Sequence, residues 1–159
     1  MSTAPLPLEL PPAAPVFRQS LPVLLTTFVN KVGAVGLSLL PMLLVERALP
    51  SETSSLVMGL VKAAVLLGSF AGGWVADRAG LRVALVSSFA IAGTGLALLP
   101  LASDWVVLAA LAMLAQLGNA MFHSPARLLV TSAVAPEHQR EAIGWLRGAV
   151  NGGQIVSFS

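Results

Sequence analysis

The sequence has no cysteine and very little charge. Only 10% of its 159 residues are charged, whereas about a quarter are charged in a typical soluble domain. The absence of cysteine excludes disulfides, thiolate metal sites and a thiol nucleophile. Two histidines, His123 and His138, are too few for a histidine-based metal site, so we predict neither a metal nor a cofactor. The nine basic residues are spread along the chain, which does not favour a nucleic-acid partner.

Apolar residues dominate the chain. They make up 56% of it, and the mean hydropathy is +0.85. A soluble fold of this size cannot bury so much apolar surface, so a lipid bilayer must be the solvent. A helix that crosses the hydrocarbon layer needs roughly 20 mostly apolar residues. Four windows meet this requirement and a fifth begins to, at about 21–45, 56–76, 83–102, 105–124 and 141–159. The sequence therefore predicts an all-α integral membrane protein with four transmembrane helices and most of a fifth.

Proline and the distribution of charge mark the ends of these spans. Residues 1–17 contain five prolines and no positive charge, which excludes the basic region of a signal peptide. We expect them to form a disordered tail, followed by the transmembrane bundle in residues 18–159. We expect Pro22 to open the first helix, where proline is tolerated. Pro125 is expected to kink the chain beyond the fourth span, and Pro136 to stop the helix.

The arginines predict an orientation in the membrane. With the N-terminus in the cytoplasm, the outer loops contain only Arg47. The inner side then contains the other six arginines, Arg18, Arg78, Arg82, Arg127, Arg140 and Arg147. Such an excess is the positive-inside pattern of multi-pass membrane proteins. We therefore predict a multi-pass protein of the cell membrane with a cytoplasmic N-terminus.

Several polar side chains lie inside the predicted spans. Lys31, next to Asn30, lies near the middle of the first span, where a lysine costs roughly 2.5 to 3.5 kcal/mol on insertion scales. It needs a cavity, either for an anionic substrate or for an internal carboxylate. Gln116, Asn119 and His123 share one face of the fourth span. These five residues are our candidates for contact with a substrate or ion. The alternative is that they act as polar contacts between helices, each worth about 0.6 kcal/mol.

Other features of the spans have a simpler interpretation. Lys62 lies only about two helical turns from the outer boundary, close enough for its ammonium group to snorkel into the interface. Small residues in "GSFAGG", in "GTG" and at Gly144, Gly148 and Gly152 predict close helix packing.

A charged pattern separates the second and third spans. It reads G-x-x-x-D-R-x-G-x-R and consists of Gly73, Asp77, Arg78, Gly80 and Arg82. This pattern resembles the signature loop of the major facilitator superfamily of secondary transporters. The stretch from Gly118 to Gly153 looks like the corresponding region of the drug and metabolite exporter branch. Within it, Gly144 and Gly153 have the spacing of that branch's span-five motif.

The resemblance implies a function and a mechanism. Members of this family transport small molecules by alternating access between two halves of six spans. It implies export across a bacterial inner membrane, coupled to a proton or another ion. Spans one and four would line the central cavity, where the five polar candidates would meet the substrate or ion. Asp77 and Arg78 would form a gate latch with the other half. Leu114 stands where proton-coupled exporters have an arginine.

The end of the sequence departs from the family pattern. Ser157 and Phe158 stand where the span-five motif has glycine and proline. We therefore expect an incomplete N-terminal bundle from a truncated or frame-shifted reading of a longer transporter, not functional alone. The alternative is a small membrane scaffold or binding protein that acts as an oligomer or with a partner subunit. We do not expect an enzyme, because no paired carboxylates and no Ser/His/Asp set lie within the spans.

Overall fold

The described part of the chain is built of helices. The structure, a computed structural model, describes residues 16–158. The first predicted span consists of three successive helices, α1 (Val16–Gly33), α2 (Val35–Ser38) and α3 (Leu40–Glu46). Four longer helices follow, α4 (Ser51–Ala79), α5 (Leu81–Leu98), α6 (Trp105–Ser132) and α7 (Gln139–Phe158). Single 3-10 turns lie at Leu99–Leu101 and Pro136–His138.

Four segments are long and apolar enough to cross a membrane. They are Ser20–Glu46, Ser51–Ala79, Leu81–Leu101 and Trp105–Ser132. This confirms the predicted all-α membrane architecture with four such segments. Helix α7 covers most of the fifth predicted span and carries three charged residues, Arg140, Glu141 and Arg147.

The first span is not the continuous helix that its hydropathy predicts. The α-helix is interrupted at Ala34 and at Leu39, where ψ rises to −4° and −5°. Pro41 contributes to the second interruption because it has no backbone N–H to donate to the carbonyl of Leu37, four residues earlier.

Three expectations about where helices begin and end are corrected by the structure. The chain is already helical at Val16, so Pro22 lies inside α1 rather than at its first turn. Residues 16 and 17 therefore belong to the bundle, and the rest of the expected tail lies outside the described residues. At the other end, α6 continues through Pro125, where a kink was expected, to Ser132, so the fourth span is longer than the predicted 105–124. Pro136 begins a 3-10 turn four residues after that end.

Helix α6 is the centre of the bundle. It packs along α4 on one side and α5 on the other, while α1 pairs mainly with α7. A Cβ atom at Gly68 or Gly72 of α4 would overlap the backbone of α6, and so would one at Gly95 of α5. In the reverse direction, Gly118 of α6 lies against the backbone of α5 at Ala92. Helices can approach this closely only where side chains are missing.

Two apolar clusters flank the polar middle of α6. The first joins the N-terminal part of α6 to α3 and α4 through Leu40, Leu44, Val57 and Leu108. The second surrounds Phe122 near the other end of α6 and includes residues of α1 and α7. Phe122 is almost completely buried and meets Phe89 of α5 edge to face, with ring centroids 5.3 Å apart.

Polar contacts secure the end of the bundle where α6 begins. The side chain of Asp104 accepts hydrogen bonds from the amides of Val106 and Val107, at 2.8 and 2.9 Å, and so caps α6. Nearby, Nη1 of Arg47 donates to the carbonyl of Ala102 at 2.6 Å. Arg47, which the orientation argument assigns to the outer loops, therefore ties the end of α3 to the chain after α5.

Neighbouring glycines in α4 provide a matched test of this packing. Gly72→Ala should lower stability by about 1 to 3 kcal/mol, because the new methyl group would overlap the Met121 carbonyl. Gly73→Ala should leave stability unchanged or raise it slightly, because nothing in the described chain lies within 4 Å of its Cβ position. Thermal unfolding in detergent, followed by circular dichroism, measures both. Equal effects of the two substitutions would contradict the close approach of α4 and α6.

Candidate functional site

A cavity of about 400 Å³ lies beside the interrupted first span. Its wall is formed by α1, α2, α3, α4, α6 and α7, and most of the lining side chains are apolar. The polar lining residues are Lys31, Ser38, Lys62, Gln116, Asn119 and Gln154. The interruption between Ala34 and Leu39 faces this space, and irregular backbone at membrane depth is tolerated where it lines a cavity. We refer to this space as the polar cavity.

A contact between α1 and α6 positions Lys31. Its Nζ atom lies 3.3 Å from Nε2 of His123, 92 residues further along the chain. If Lys31 is an ammonium group, Nζ donates and Nε2 accepts, which places the imidazole proton on Nδ1. His123 is exposed and does not itself line the polar cavity. The contact therefore joins two predicted site residues that lie on different helices.

Two buried amides have unused hydrogen-bonding capacity. The Oδ1 atoms of Asn30 and Asn119 are buried and have no hydrogen-bond partner among the described residues. Both side chains line a second, smaller cavity of about 150 Å³ between α1, α5 and α6. Asn119 also lines the polar cavity, so it lies between the two spaces. Neither oxygen atom therefore joins two of the described helices through a hydrogen bond.

Helix α7 approaches α1 at the level of Lys31. A Cβ atom at Gly153 would lie 2.7 Å from Cβ of Lys31 and 3.0 Å from the carbonyl oxygen of Phe28. Gly153 is therefore the glycine that permits this approach. Gly144 and Gly148 have nothing of the described chain within 4 Å of their Cβ positions, so the packing role expected for them is not realised there. Gly152 makes only ordinary contact with the Phe28 ring.

The charged pattern between α4 and α5 is not a loop of several residues. Gly80 alone separates the two helices, with φ of +90°, a conformation that favours glycine. Asp77 and Arg78 lie in the last turn of α4, and Arg82 lies in the first turn of α5; all three side chains are exposed. The guanidinium of Arg78 stacks over the Trp74 ring, 4.7 Å from its centroid.

The structure brings together part of the set of residues expected from the sequence. Lys31, Gln116 and Asn119 line the polar cavity, His123 contacts Lys31, and Asn30 lines the smaller cavity. Gly73, Asp77, Arg78, Gly80 and Arg82 lie together at the junction of α4 and α5.

Sequence reasoning left two lining residues out of the candidate set. Lys62 was interpreted as close enough to the outer boundary to snorkel, and Gln154 was not among the candidates. The side chain of Lys62 is exposed and also lines the polar cavity. The sequence does contain a signal for Lys62. Of the nine basic residues, only Lys31 and Lys62 lie inside predicted spans one and two.

The unused amide of Asn119 gives a test of its role. Asn119→Leu should leave the thermal stability unchanged or raise it, because it removes a buried polar group that lacks a partner. Gly118→Leu, one residue earlier, should lower stability strongly, because its side chain would overlap α5. Thermal unfolding in detergent compares the two. A loss for Asn119→Leu as large as that for Gly118→Leu would show that the amide holds the helices together.

Comparison with known proteins identifies the family. The family model of the Major Facilitator Superfamily matches residues 23–159, which include all four candidate membrane spans except the first turn of the first. No curated protein and no solved structure gives a significant match. The match covers far more than half of the chain, and the chain belongs to the Major Facilitator Superfamily.

Proposed function

We propose that this chain forms one side of the substrate pathway of a secondary transporter that exports small amphipathic molecules from the cell. The observation that carries the proposal is the polar cavity itself. In an apolar bundle, two lysines and three side-chain amides from α1, α4, α6 and α7 line the same space. Polar and ionisable groups at membrane depth are costly and commonly mark substrate or ion pathways.

Alternating access requires that helices of the cavity change their relative positions. The hydrogen bond between Lys31 and His123 is one place where such a change can be controlled, because it joins α1 to α6 across the site. A substrate group that binds Lys31 would compete with this bond. The bond also holds a proton between two nitrogen atoms. Position 114, where proton-coupled exporters have an arginine, is Leu114 in this chain. We therefore assign the coupling proton to Lys31 and His123.

We propose that Asp77 acts as a latch at the cytoplasmic end of α4. The carboxylate is exposed in the last helical turn, where a second helical unit can reach it. A carboxylate near the N-terminus of another helix is stabilised by that helix's dipole. Arg78, which stacks on Trp74, and Arg82 add positive charge at the same end. The cytoplasmic position of this end, and of the chain's N-terminus, is supported by the distribution of the arginines.

Two experiments test the direction of transport and whether the chain is part of a longer transporter. The protein encoded by the complete gene is studied in everted membrane vesicles. Three naphthalene compounds of similar size are added separately to the outside medium: 1-naphthoate, 1-naphthamide and 1-naphthylmethylammonium. Energy-dependent accumulation of any of them supports export, and accumulation only in right-side-out vesicles would overturn it. Flux in neither orientation, together with a defined oligomer, would favour the scaffold alternative. Reading the DNA beyond codon 159 tests whether the chain is the N-terminal part of a longer transporter.

The proposed latch predicts the effect of one substitution. Asp77→Asn should lower the initial rate of transport in these vesicles about fivefold to tenfold at unchanged expression, because the amide interacts less favourably with a helix dipole than the carboxylate does. Glu52→Gln, at the opposite end of α4, makes the same chemical change at another exposed carboxylate and should have no effect. A normal rate for Asp77→Asn would refute the latch.

A further inference from the structure

Both lysines of the chain line the same cavity. The other seven basic residues are arginines, and none of them is among the residues that line the polar cavity. Lys31 comes from α1 and Lys62 from α4, so two separate helices each contribute an ammonium group. We infer that the polar cavity selects organic anions: molecules with one carboxylate, phosphate or sulfonate group and an apolar body. This inference rests on the proposed transport function and specifies its substrate class.

The charge of the lining has one sign. Among the described residues that line the polar cavity, the charged side chains are the two lysines. Lys31 is half-buried and Lys62 is exposed. Coulomb attraction to either ammonium group favours an anion in this space, and the same interaction disfavours a cation. The lining therefore discriminates by charge before any specific contact is made.

The contact with His123 positions the ammonium group of Lys31 at the edge of the polar cavity. A neutral imidazole accepts one hydrogen bond through Nε2, at 3.3 Å from Nζ, and contributes no negative charge. An ammonium group has three N–H donors.

The other residues that line the polar cavity suit both the polar and the apolar part of such a molecule. Gln116, Asn119 and Gln154 provide amide N–H donors, which can bind the oxygen atoms of a carboxylate or phosphate. Asn119 is nine-tenths buried, and its Oδ1 atom, which has no partner among the described residues, can accept a hydrogen bond from a hydroxyl or amide group of the ligand. Side chains such as Leu40, Met58 and Val61 provide an apolar wall. A volume of about 400 Å³ lies in the range of small-molecule sites.

Lysine chemistry gives a direct test of binding. The protein is placed in nanodiscs of phosphatidylcholine, which contain no anionic lipid, and acetylated with a water-soluble N-hydroxysuccinimide ester. Mass spectrometry measures the modification of Lys31 and Lys62, with the N-terminal amine as an internal control. Saturating 1-naphthoate should slow acetylation of both lysines about fivefold or more, as expected when a bound anion covers the amines. The neutral analogue 1-naphthamide should not, and neither should a cationic analogue, the N,N,N-trimethyl derivative of 1-naphthylmethylammonium, whose quaternary nitrogen does not react with the ester. Equal protection by either analogue, or none by 1-naphthoate, would overturn the inference.

Variants separate the charge of the lysines from their packing. In the double variant Lys31→Met and Lys62→Met, binding of tritiated 1-naphthoate should weaken about tenfold or more, because both attracting charges are lost. Lys31→Arg with Lys62→Arg keeps both charges and should retain binding within about threefold. Arg127→Met removes a positive charge that does not line the cavity and should have no effect. Unchanged binding in the double methionine variant would refute the role of the lysines.

The same compounds distinguish failure of this inference from failure of the proposed function. If vesicles transport 1-naphthamide or 1-naphthylmethylammonium but not 1-naphthoate, transport stands and selection of anions is wrong. If 1-naphthoate protects the lysines but no compound crosses the membrane, the anion site stands and the transport proposal is wrong.

Phosphatidylglycerol added to the nanodiscs tests a lipid headgroup as the anion: slower acetylation without any naphthalene compound would identify a lipid as the ligand.

Discussion

The close approach of α6 to α4 and α5 is the constraint on which the rest of the structure depends. Lipid is as apolar as the helix surfaces, so burial of apolar side chains does not by itself drive these helices together. Their association requires dispersion contacts over a long interface, and such contacts require backbones that can approach closely. Gly68 and Gly72 provide this on α4, and Gly95 and Gly118 provide it between α5 and α6. Each lies where even a methyl group would overlap the neighbouring backbone.

This packing leaves the polar face of α6 to be covered by another part of the chain. Helices α4 and α5 occupy two sides of α6, and the pair formed by α1 and α7 approaches from a third. Gly153 brings α7 against α1 next to Lys31, so the lysine lies between helices rather than towards lipid. The interrupted first span widens the space in front of it. A cavity with a polar lining lies beside α6, between the levels of the apolar clusters around Leu108 and Phe122.

Much of the architecture could be predicted from the sequence because membrane insertion depends on local properties. Hydropathy over about 20 residues is sufficient to find four spans, since each must satisfy its own backbone in lipid. The helix ends were less predictable. Pro22 and Pro125 are each compatible with a helix end, yet both lie inside helices. Whether proline ends a helix depends on how well the neighbouring helices stabilise the turn around it, and no local pattern contains that information.

The sequence by itself determined the class of protein, the number of apolar spans and the short charged pattern at Asp77 to Arg82. These follow from composition, hydropathy and spacing, which are properties of neighbouring residues along the chain. Only the tertiary structure decided which polar residues share a space. Lys31 and His123 are 92 residues apart, and Lys62 joins Lys31 because α4 and α1 border the same cavity. The facing side of each helix is set by where glycines permit contact, and that depends on all the helices together.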